Sequence, residues 1–309
     1  LRKTALTLTL TALPGFALAA PEGWQPLLAP SDLSALLERG EDIHIIRVTG
    51  DFEAGHIPGA VFSPYSEWRA GPTNPGALKP ELEYESEAVR VGVTADRPTV
   101  IVHNGDSPSD MGAAARVYWT LKSLGVQDLA LLNGGYQAWA AAGLPTAKGK
   151  VTPTESDFYA EWRDDWYIPT SEVVDLVESG EARLVDSRPE GFFEGITWSI
   201  ARPGTIRSAE NLQFSQFFED SLMVAPERAR EIAAEQGLQD APVTVSFCNT
   251  GHWAAINWFA LSELAEVPNT RLYAESMAEY TIHGHALDNE PNRVAYLWLS
   301  TKRWVNGLF

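Results

Sequence analysis

Short apolar runs alternate with helical patterns along most of the chain. One run, "PTVIV" at 98–102, is followed by a polar loop and then by a helical pattern in alanine and aromatic residues. Another run, "PVTVSF" at 242–247, is followed by the polar loop "CNTGHW" at 248–253 and the helical pattern "AAINWFALSEL" at 254–264. Strands and helices that alternate at this spacing predict βαβ crossovers, and therefore parallel sheets with helices on both faces.

The two runs belong to a repeat that extends over both halves of the chain. Further along, "LALLNGGYQAWAAAGLP" at 129–145 matches "TRLYAESMAEYTIHGHAL" at 270–287 as a strand, a turn and a helix start. Aligned without a gap from the proline that opens each apolar run, the halves place Asn104 opposite Cys248. The repeat therefore predicts two similar α/β domains.

A connector rich in proline, threonine and lysine separates the two halves. We predict a first domain at 21–147, a linker at 148–164 and a second domain with a C-terminal tail at 165–309. Trp298 and Trp304 in the tail are expected to pack on a domain.

The first twenty residues follow a different pattern. Arg2 and Lys3 precede an apolar run that ends in "ALA" at 17–19. This order predicts a secretory signal peptide at 1–20, and so a periplasmic or secreted protein. No later stretch is long and apolar enough to suggest a membrane span.

Charge narrows the range of partners. The chain has 309 residues, with 41 acidic and 23 basic side chains and a formal net charge of -18. This balance disfavours nucleic acids and anionic membranes as partners, so an anionic substrate would need local donors. The histidines show no strong metal-ligand spacing and no phosphate-binding loop is present, so we expect no metal and no cofactor.

Cys248 is the only cysteine. It cannot form an internal disulfide, so it is either a buried filler or a reactive thiol. It comes directly after an apolar strand and before a loop and a helix start. Backbone N–H groups of such a loop and the helix N-terminus stabilise a thiolate, which favours a nucleophile.

Four segments, "GHIPGA" at 55–60, "LLNGGYQAW" at 131–139, "LVDSRPEGFFEG" at 184–195 and "CNTGHWA" at 248–254, resemble the tandem-domain rhodaneses. These are thiosulfate or 3-mercaptopyruvate sulfurtransferases. The resemblance implies two rhodanese-like domains, of which only the second is catalytic, and a persulfide on Cys248. It also implies a small anionic sulfur donor and a cyanide, thiol or protein acceptor.

The loop supplies most of the candidate site residues, namely Asn249, Thr250, Gly251, His252 and Trp253. His252 either assists an anion when protonated or simply begins the helix. Trp253 either walls the pocket or anchors the helix in the core.

The resemblance adds candidates outside the loop. Arg188 matches a family arginine that reaches the active site, and Asp186 is expected to orient it or to cap a turn. Arg202, like Arg207, is a candidate for a second cation, with a surface ion pair as the alternative. Ser276 matches a serine near the cleft between the domains, or is a turn residue.

Two other functions remain open at this point. A carrier or sensor of sulfane sulfur or an oxyanion would form an adduct on Cys248 without turnover. A cysteine phosphatase would need an arginine six residues after the cysteine, where this chain has Ala254. The sequence therefore favours sulfur transfer, with thiosulfate ahead of mercaptopyruvate as donor.

Overall fold

The computed structural model describes residues 20–306. The predicted signal peptide, apart from Ala20, lies outside the described residues. None of the described helices is long and apolar enough to cross a membrane.

The described helices alternate with the strands along the chain. They are α1 (Pro30–Glu38), α2 (Glu81–Arg90), α3 (Met111–Ser123), α4 (Gly135–Ala141), α5 (Thr170–Ser179), α6 (Glu190–Phe193), α7 (Pro226–Glu235), α8 (His252–Phe259), α9 (Ser276–Ile282) and α10 (Arg293–Asn306). Short 3-10 turns lie at Tyr65–Trp68, Pro108–Asp110, Asp164–Trp166 and Phe214–Phe217, and a π-helical turn at Ala260–Leu264 extends α8.

The described strands form two separate parallel sheets and two short antiparallel pairs. They are β1 (Leu27–Leu28), β2 (His44–Arg47), β3 (Val61–Phe62), β4 (Thr99–Val102), β5 (Leu129–Leu132), β6 (Arg183–Asp186), β7 (Thr205–Ile206), β8 (Glu210–Asn211), β9 (Phe218–Glu219), β10 (Leu222–Met223), β11 (Thr244–Phe247), β12 (Thr270–Leu272) and β13 (Leu287–Asp288).

Each half of the chain builds its own parallel sheet. The first sheet has the order β1-β5-β4-β2-β3, and the second has the order β12-β11-β6-β8. Every neighbouring pair in both sheets is parallel. The predicted α/β fold with helix-flanked parallel sheets is confirmed. The exact domain and linker bounds stay predictions.

The two central strands fix how the repeats correspond. In β4 Thr99 pairs with the first residue of β2, and in β11 Thr244 pairs with the first residue of β6. The residue directly after each strand accepts an equivalent hydrogen bond. His103 O accepts from Tyr136 N–H, and Cys248 O accepts from Met277 N–H. His103, rather than Asn104, therefore occupies the position of Cys248. The gapless alignment was wrong by one residue, because sequence lacks the pairing that sets the register.

One buried apolar cluster extends across both domains, and each domain also has a smaller cluster of its own. Helices α3 and α8, each following the central strand of its sheet, belong to the same buried cluster. Tyr118 meets Phe259 edge-to-face at 5.1 Å, and its hydroxyl donates to Glu263 at 2.7 Å. Because each helix begins just after its central-strand loop, packing α3 on α8 brings both loops to the interface.

The tail differs from its prediction. It forms α10, but Trp298 is 63% exposed and so is not buried against a domain. The side chain of Trp304 lies outside the described residues.

Candidate active site

Cys248 lies at the carboxyl end of β11, the central strand of the second sheet. Cys248 is only 1% exposed. Its backbone N–H donates to Ser276 Oγ at 3.1 Å, and Ser276 Oγ donates in turn to Tyr273 O at 2.7 Å. Ser276 has φ +56°, a left-handed conformation that costs energy in a residue other than glycine. The predicted serine thus holds the backbone of Cys248.

The loop after Cys248 is compact and depends on Gly251. Gly251 has φ +72°, and α8 begins at the next residue. A Cβ atom built on it would lie 2.4 Å from Ala274 O and 2.5 Å from Arg116 Nη1. Within the described residues, the backbone N–H groups of Asn249, Thr250 and Gly251 have no protein acceptor. They remain available to a charged sulfur or a bound anion.

Arg188 holds the loop from behind. It is fully buried, and its Nε and Nη2 donate to Asp186 at 2.6–3.1 Å. Its Nη1 donates to Asn249 Oδ1 at 3.1 Å, and Nη2 also donates to Gly204 O at 2.8 Å. The structure therefore makes Arg188 and Asp186 a support for Asn249, and neither lines the pocket.

His252 is a fixed, neutral member of a network between the domains. Its Nε2 is 2.8 Å from Ser109 O and therefore donates to it, so Nδ1 accepts from the Tyr65 hydroxyl at 3.2 Å. Burial and then the nearby charge of Arg69 lower the pKa of His252 from 6.5 to about 4. Its interpretation as a protonated anion binder near pH 7 is corrected.

Trp253 anchors the start of α8 and also forms part of the pocket wall. Its ring stacks on Phe214 with centroids 5.3 Å apart and meets Phe192 edge-to-face at 5.9 Å. Its Nε1 donates to Ser109 Oγ at 2.7 Å. Both roles left open by the sequence are therefore combined in one side chain.

A pocket of about 500 Å³ opens above Cys248 between the two domains. The second domain contributes Ser199 and five residues of the loop and helix start: Cys248, Asn249, Thr250, His252 and Trp253. The first domain contributes Tyr65, Arg69 and Pro75. Sequence reasoning missed these three. No local pattern in the sequence marked them, because the segment that carries Tyr65 folds as a short 3-10 turn and Arg69 follows it in an extended conformation.

The other predicted cation lies elsewhere. Arg202 pairs with Glu290 at 2.8 Å and donates to His285 O at 2.8 Å, outside the residues that line the pocket. Its assignment to the site is corrected, because an exposed carboxylate nearby satisfies its guanidinium. Arg207 is exposed and also absent from the pocket lining. Among the described residues, no three His, Cys, Asp or Glu side chains are placed to hold a metal ion.

Comparisons with known proteins identify the family. A rhodanese-like domain model matches residues 29–142. The chain is 30% identical over 241 residues to human 3-mercaptopyruvate sulfurtransferase, covering 76% of this chain and 78% of the human protein. The chain belongs to the rhodanese family. The prediction of a sulfurtransferase enzyme is confirmed at that level.

Two further likenesses cover more of this rhodanese. A relative in Synechococcus elongatus, provisionally named a thiosulfate sulfurtransferase, is 26% identical and covers 92% of both chains. The crystal structure of SseA from Escherichia coli, described as a 3-mercaptopyruvate enzyme, aligns with a TM-score of 0.70 and 23% identity. It covers 82% of this chain and 98% of SseA, and at that identity it shows the fold alone.

Proposed function

We propose that this rhodanese transfers a sulfane sulfur through a persulfide on Cys248. The donor is a small anion, thiosulfate ahead of mercaptopyruvate, and the acceptor is cyanide or a small thiol. One observation carries the proposal. The only cysteine forms the floor of the pocket, between the end of a parallel strand and the N-terminus of a helix.

The proposed reaction has two balanced steps. In the first, the Cys248 thiolate attacks the outer sulfur of thiosulfate, the S–S bond breaks, and sulfite leaves with the electron pair. In the second, the cyanide carbon attacks the terminal sulfur of the persulfide, and thiocyanate leaves. The electron pair of the breaking S–S bond returns to Cys248, which restores the thiolate.

The site favours negative charge without a general base. The free N–H groups of Asn249, Thr250 and Gly251 and the dipole of α8 stabilise a thiolate and a persulfide anion alike. His252 is neutral near pH 7, so it orients the site and adds no charge. The same donors serve both steps, because each step begins and ends with an anionic sulfur.

Thiosulfate is placed ahead of mercaptopyruvate because Arg188, which matches an arginine that reaches the active site in mercaptopyruvate enzymes, does not line this pocket. Arg188 is fully buried and donates to Asp186, Asn249 and Gly204. It would have to leave a buried ion pair to reach a carboxylate such as that of mercaptopyruvate. A compact sulfonate near the loop could bind without Arg188 leaving its ion pair with Asp186.

The two alternatives receive less support. A carrier that docks on a partner protein needs an accessible thiol, whereas Cys248 is 1% exposed at the floor of a pocket. A phosphatase would need a clamping arginine at the position of Ala254, which is fully buried. Neither alternative has an observation of its own in its favour.

We also propose that the protein is exported, on the basis of the residue pattern at 1–20. N-terminal sequencing of the protein recovered from the periplasm or medium of expressing cells tests this. A start just after Ala19 or Ala20 is expected, and an uncleaved cytoplasmic protein would contradict it.

Mass spectrometry tests the persulfide directly. After incubation with thiosulfate, we expect one added sulfur on Cys248, and thiocyanate release when cyanide is supplied. Cys248→Ser should show neither. An adduct without turnover would point to the carrier, and no adduct with thiosulfate or mercaptopyruvate would reject sulfur transfer. Steady-state comparison of the two donors then ranks them.

A further inference from the structure

Two arginines of the first domain lie against the cysteine loop of the second. Arg69 Nη2 donates to Thr250 O at 2.7 Å. Arg116 is fully buried and Nη2 donates to Gly76 O at 2.9 Å, while Nη1 lies beside Gly251. The cysteine-bearing domain therefore does not build its electrostatic surroundings alone.

Neither charge is neutralised by an ion pair. The ion pairs within residues 20–306 include neither Arg69 nor Arg116. Arg116 also leaves Nε and Nη1 without a hydrogen-bond partner in that part of the chain. Arg116 also acts electrostatically on the buried carboxyl group of Glu275, whose pKa is raised by burial. Two guanidinium groups that have no ion-pair partner within residues 20–306 therefore lie beside the loop, in a chain of net charge -18.

Arg69 is the pocket-lining member of this pair. Its two recorded hydrogen bonds go to neutral oxygens, the Tyr65 hydroxyl at 2.9 Å and Thr250 O at 2.7 Å. The Tyr65 ring also faces the guanidinium, 5.2 Å from its carbon. These contacts fix the orientation of Arg69 without cancelling its charge, and its other N–H groups are available to an oxyanion.

Arg188 has no comparable freedom. All of its guanidinium nitrogens donate to buried protein acceptors, including the carboxylate of Asp186. Its charge is therefore paired, and its side chain does not line the pocket. Only Arg69, among the described pocket-lining residues, combines a positive charge with free donors.

We propose that Arg69 of the first domain binds the anionic group of the sulfur donor. This rests on the proposed function of Cys248. The first domain lacks a nucleophile of its own but completes the site, and Arg188 is a positioning residue for Asn249. Charge-assisted bonds from a guanidinium to a sulfonate or carboxylate would hold the donor beside the thiolate.

Alkylation of Cys248 isolates this attraction from sulfur transfer. Iodoacetate is anionic and iodoacetamide is neutral, and both report the same thiolate. We expect Arg69→Met to lower the ratio of the iodoacetate rate to the iodoacetamide rate by about tenfold, the effect of losing one charged hydrogen bond. The same variant should raise KM for thiosulfate more than it lowers kcat.

A matched control comes from the same domain. Arg97 donates to Asp42 at 2.6 Å and does not line the pocket, so Arg97→Met should leave the ratio unchanged. Arg69→Gln keeps an amide donor for Thr250 O and removes the charge, so it serves if Arg69→Met does not fold. It should also lower the ratio.

The outcomes separate the two proposals. An unchanged ratio in a folded Arg69 variant, or a lowered ratio in Arg188→Met alone, would overturn the role of Arg69. Loss of persulfide formation with every donor in the wild-type protein would reject sulfur transfer, while the alkylation ratio would still report on Arg69.

Discussion

The loops that follow the two central strands, β4 and β11, make equivalent backbone hydrogen bonds but carry different side chains. The carbonyl groups of His103 and Cys248 accept from equivalent N–H groups, and an arginine donates to the next residue, Asn104 or Asn249. The hydrogen-bond arrangement around the candidate active site is therefore present in both domains.

The difference is in charge and loop length. In the first domain Asp110 Oδ2 accepts from Gly105 N–H at 2.8 Å and Thr49 Oγ1 at 3.2 Å, and it lies 3.4 Å from His103 Nδ1. A carboxylate thus occupies the loop that in the second domain is free for an anion. The two repeats thus have the same backbone hydrogen bonds around this position, but only the second has a cysteine there.

Moving the cysteine to the first domain tests this difference most severely. In the double variant His103→Cys, Cys248→Ser, we expect no persulfide after incubation with thiosulfate. The Asp110 carboxylate, 3.4 Å from His103 Nδ1, would raise the pKa of a thiol placed there. Mass spectrometry gives the readout. An added sulfur at position 103 would show that the hydrogen-bond arrangement alone is sufficient.

The buried Arg188–Asp186 ion pair should contribute far more to the free energy of unfolding than an exposed ion pair does. Arg188→Met leaves Asp186 buried without its cation, so we expect the free energy of unfolding to fall by about 3–5 kcal/mol. Arg202→Met breaks the exposed pair with Glu290 and should cost about 1 kcal/mol or less. Urea unfolding measures both. Equal losses would show that Arg188 does not brace the loop.

Gly251 should tolerate a methyl group less well than a glycine of similar conformation. Gly251→Ala combines positive φ with a clash against Ala274 O, and we expect a loss of about 2–4 kcal/mol. Gly237 has φ +63° with nothing within 4 Å of a built Cβ, so Gly237→Ala should cost about 1 kcal/mol. Similar unfolding midpoints for the two variants would remove the role of close packing at the loop.

Acid should weaken both domains through buried histidines. Burial, with an arginine nearby, lowers the pKa of His44 and of His252 from 6.5 to about 4. The unfolded chain takes up these protons first, so stability present above pH 6.5 should be lost as the pH falls toward about 4. His252→Gln cannot titrate and should show a shallower loss in urea unfolding between those pH values. An unchanged slope would mean that His252 does not contribute.

Local patterns were sufficient for much of the fold. The apolar run before Cys248 and the helical pattern after it correspond to β11 and α8, because strands and helices differ in hydrophobic period. The register of the repeat was missed by one residue. It depends on how β4 and β11 pair with their neighbours, which an alignment of letters does not contain.

The arginines at the candidate site also depend on contacts that the sequence does not contain. Sequence analysis placed Arg188 and Arg202 as candidates for binding an anion, but Arg188 pairs with Asp186 two residues away and Arg202 with the distant Glu290. Nothing in the chain marked Arg69, which contacts a carbonyl 181 residues away. An isolated arginine in a sequence carries no information about which acceptor it will meet.

The sequence by itself determined the candidate nucleophile, its place at a strand end and the family of the chain, because these depend on residues close together along the backbone. Only the tertiary structure decided that, among the described pocket-lining residues, the guanidinium comes from Arg69 of the first domain. The reason is physical. Electrostatic interactions act over ångströms in space, and packing α3 against α8 is what brings Arg69 to the loop of Cys248.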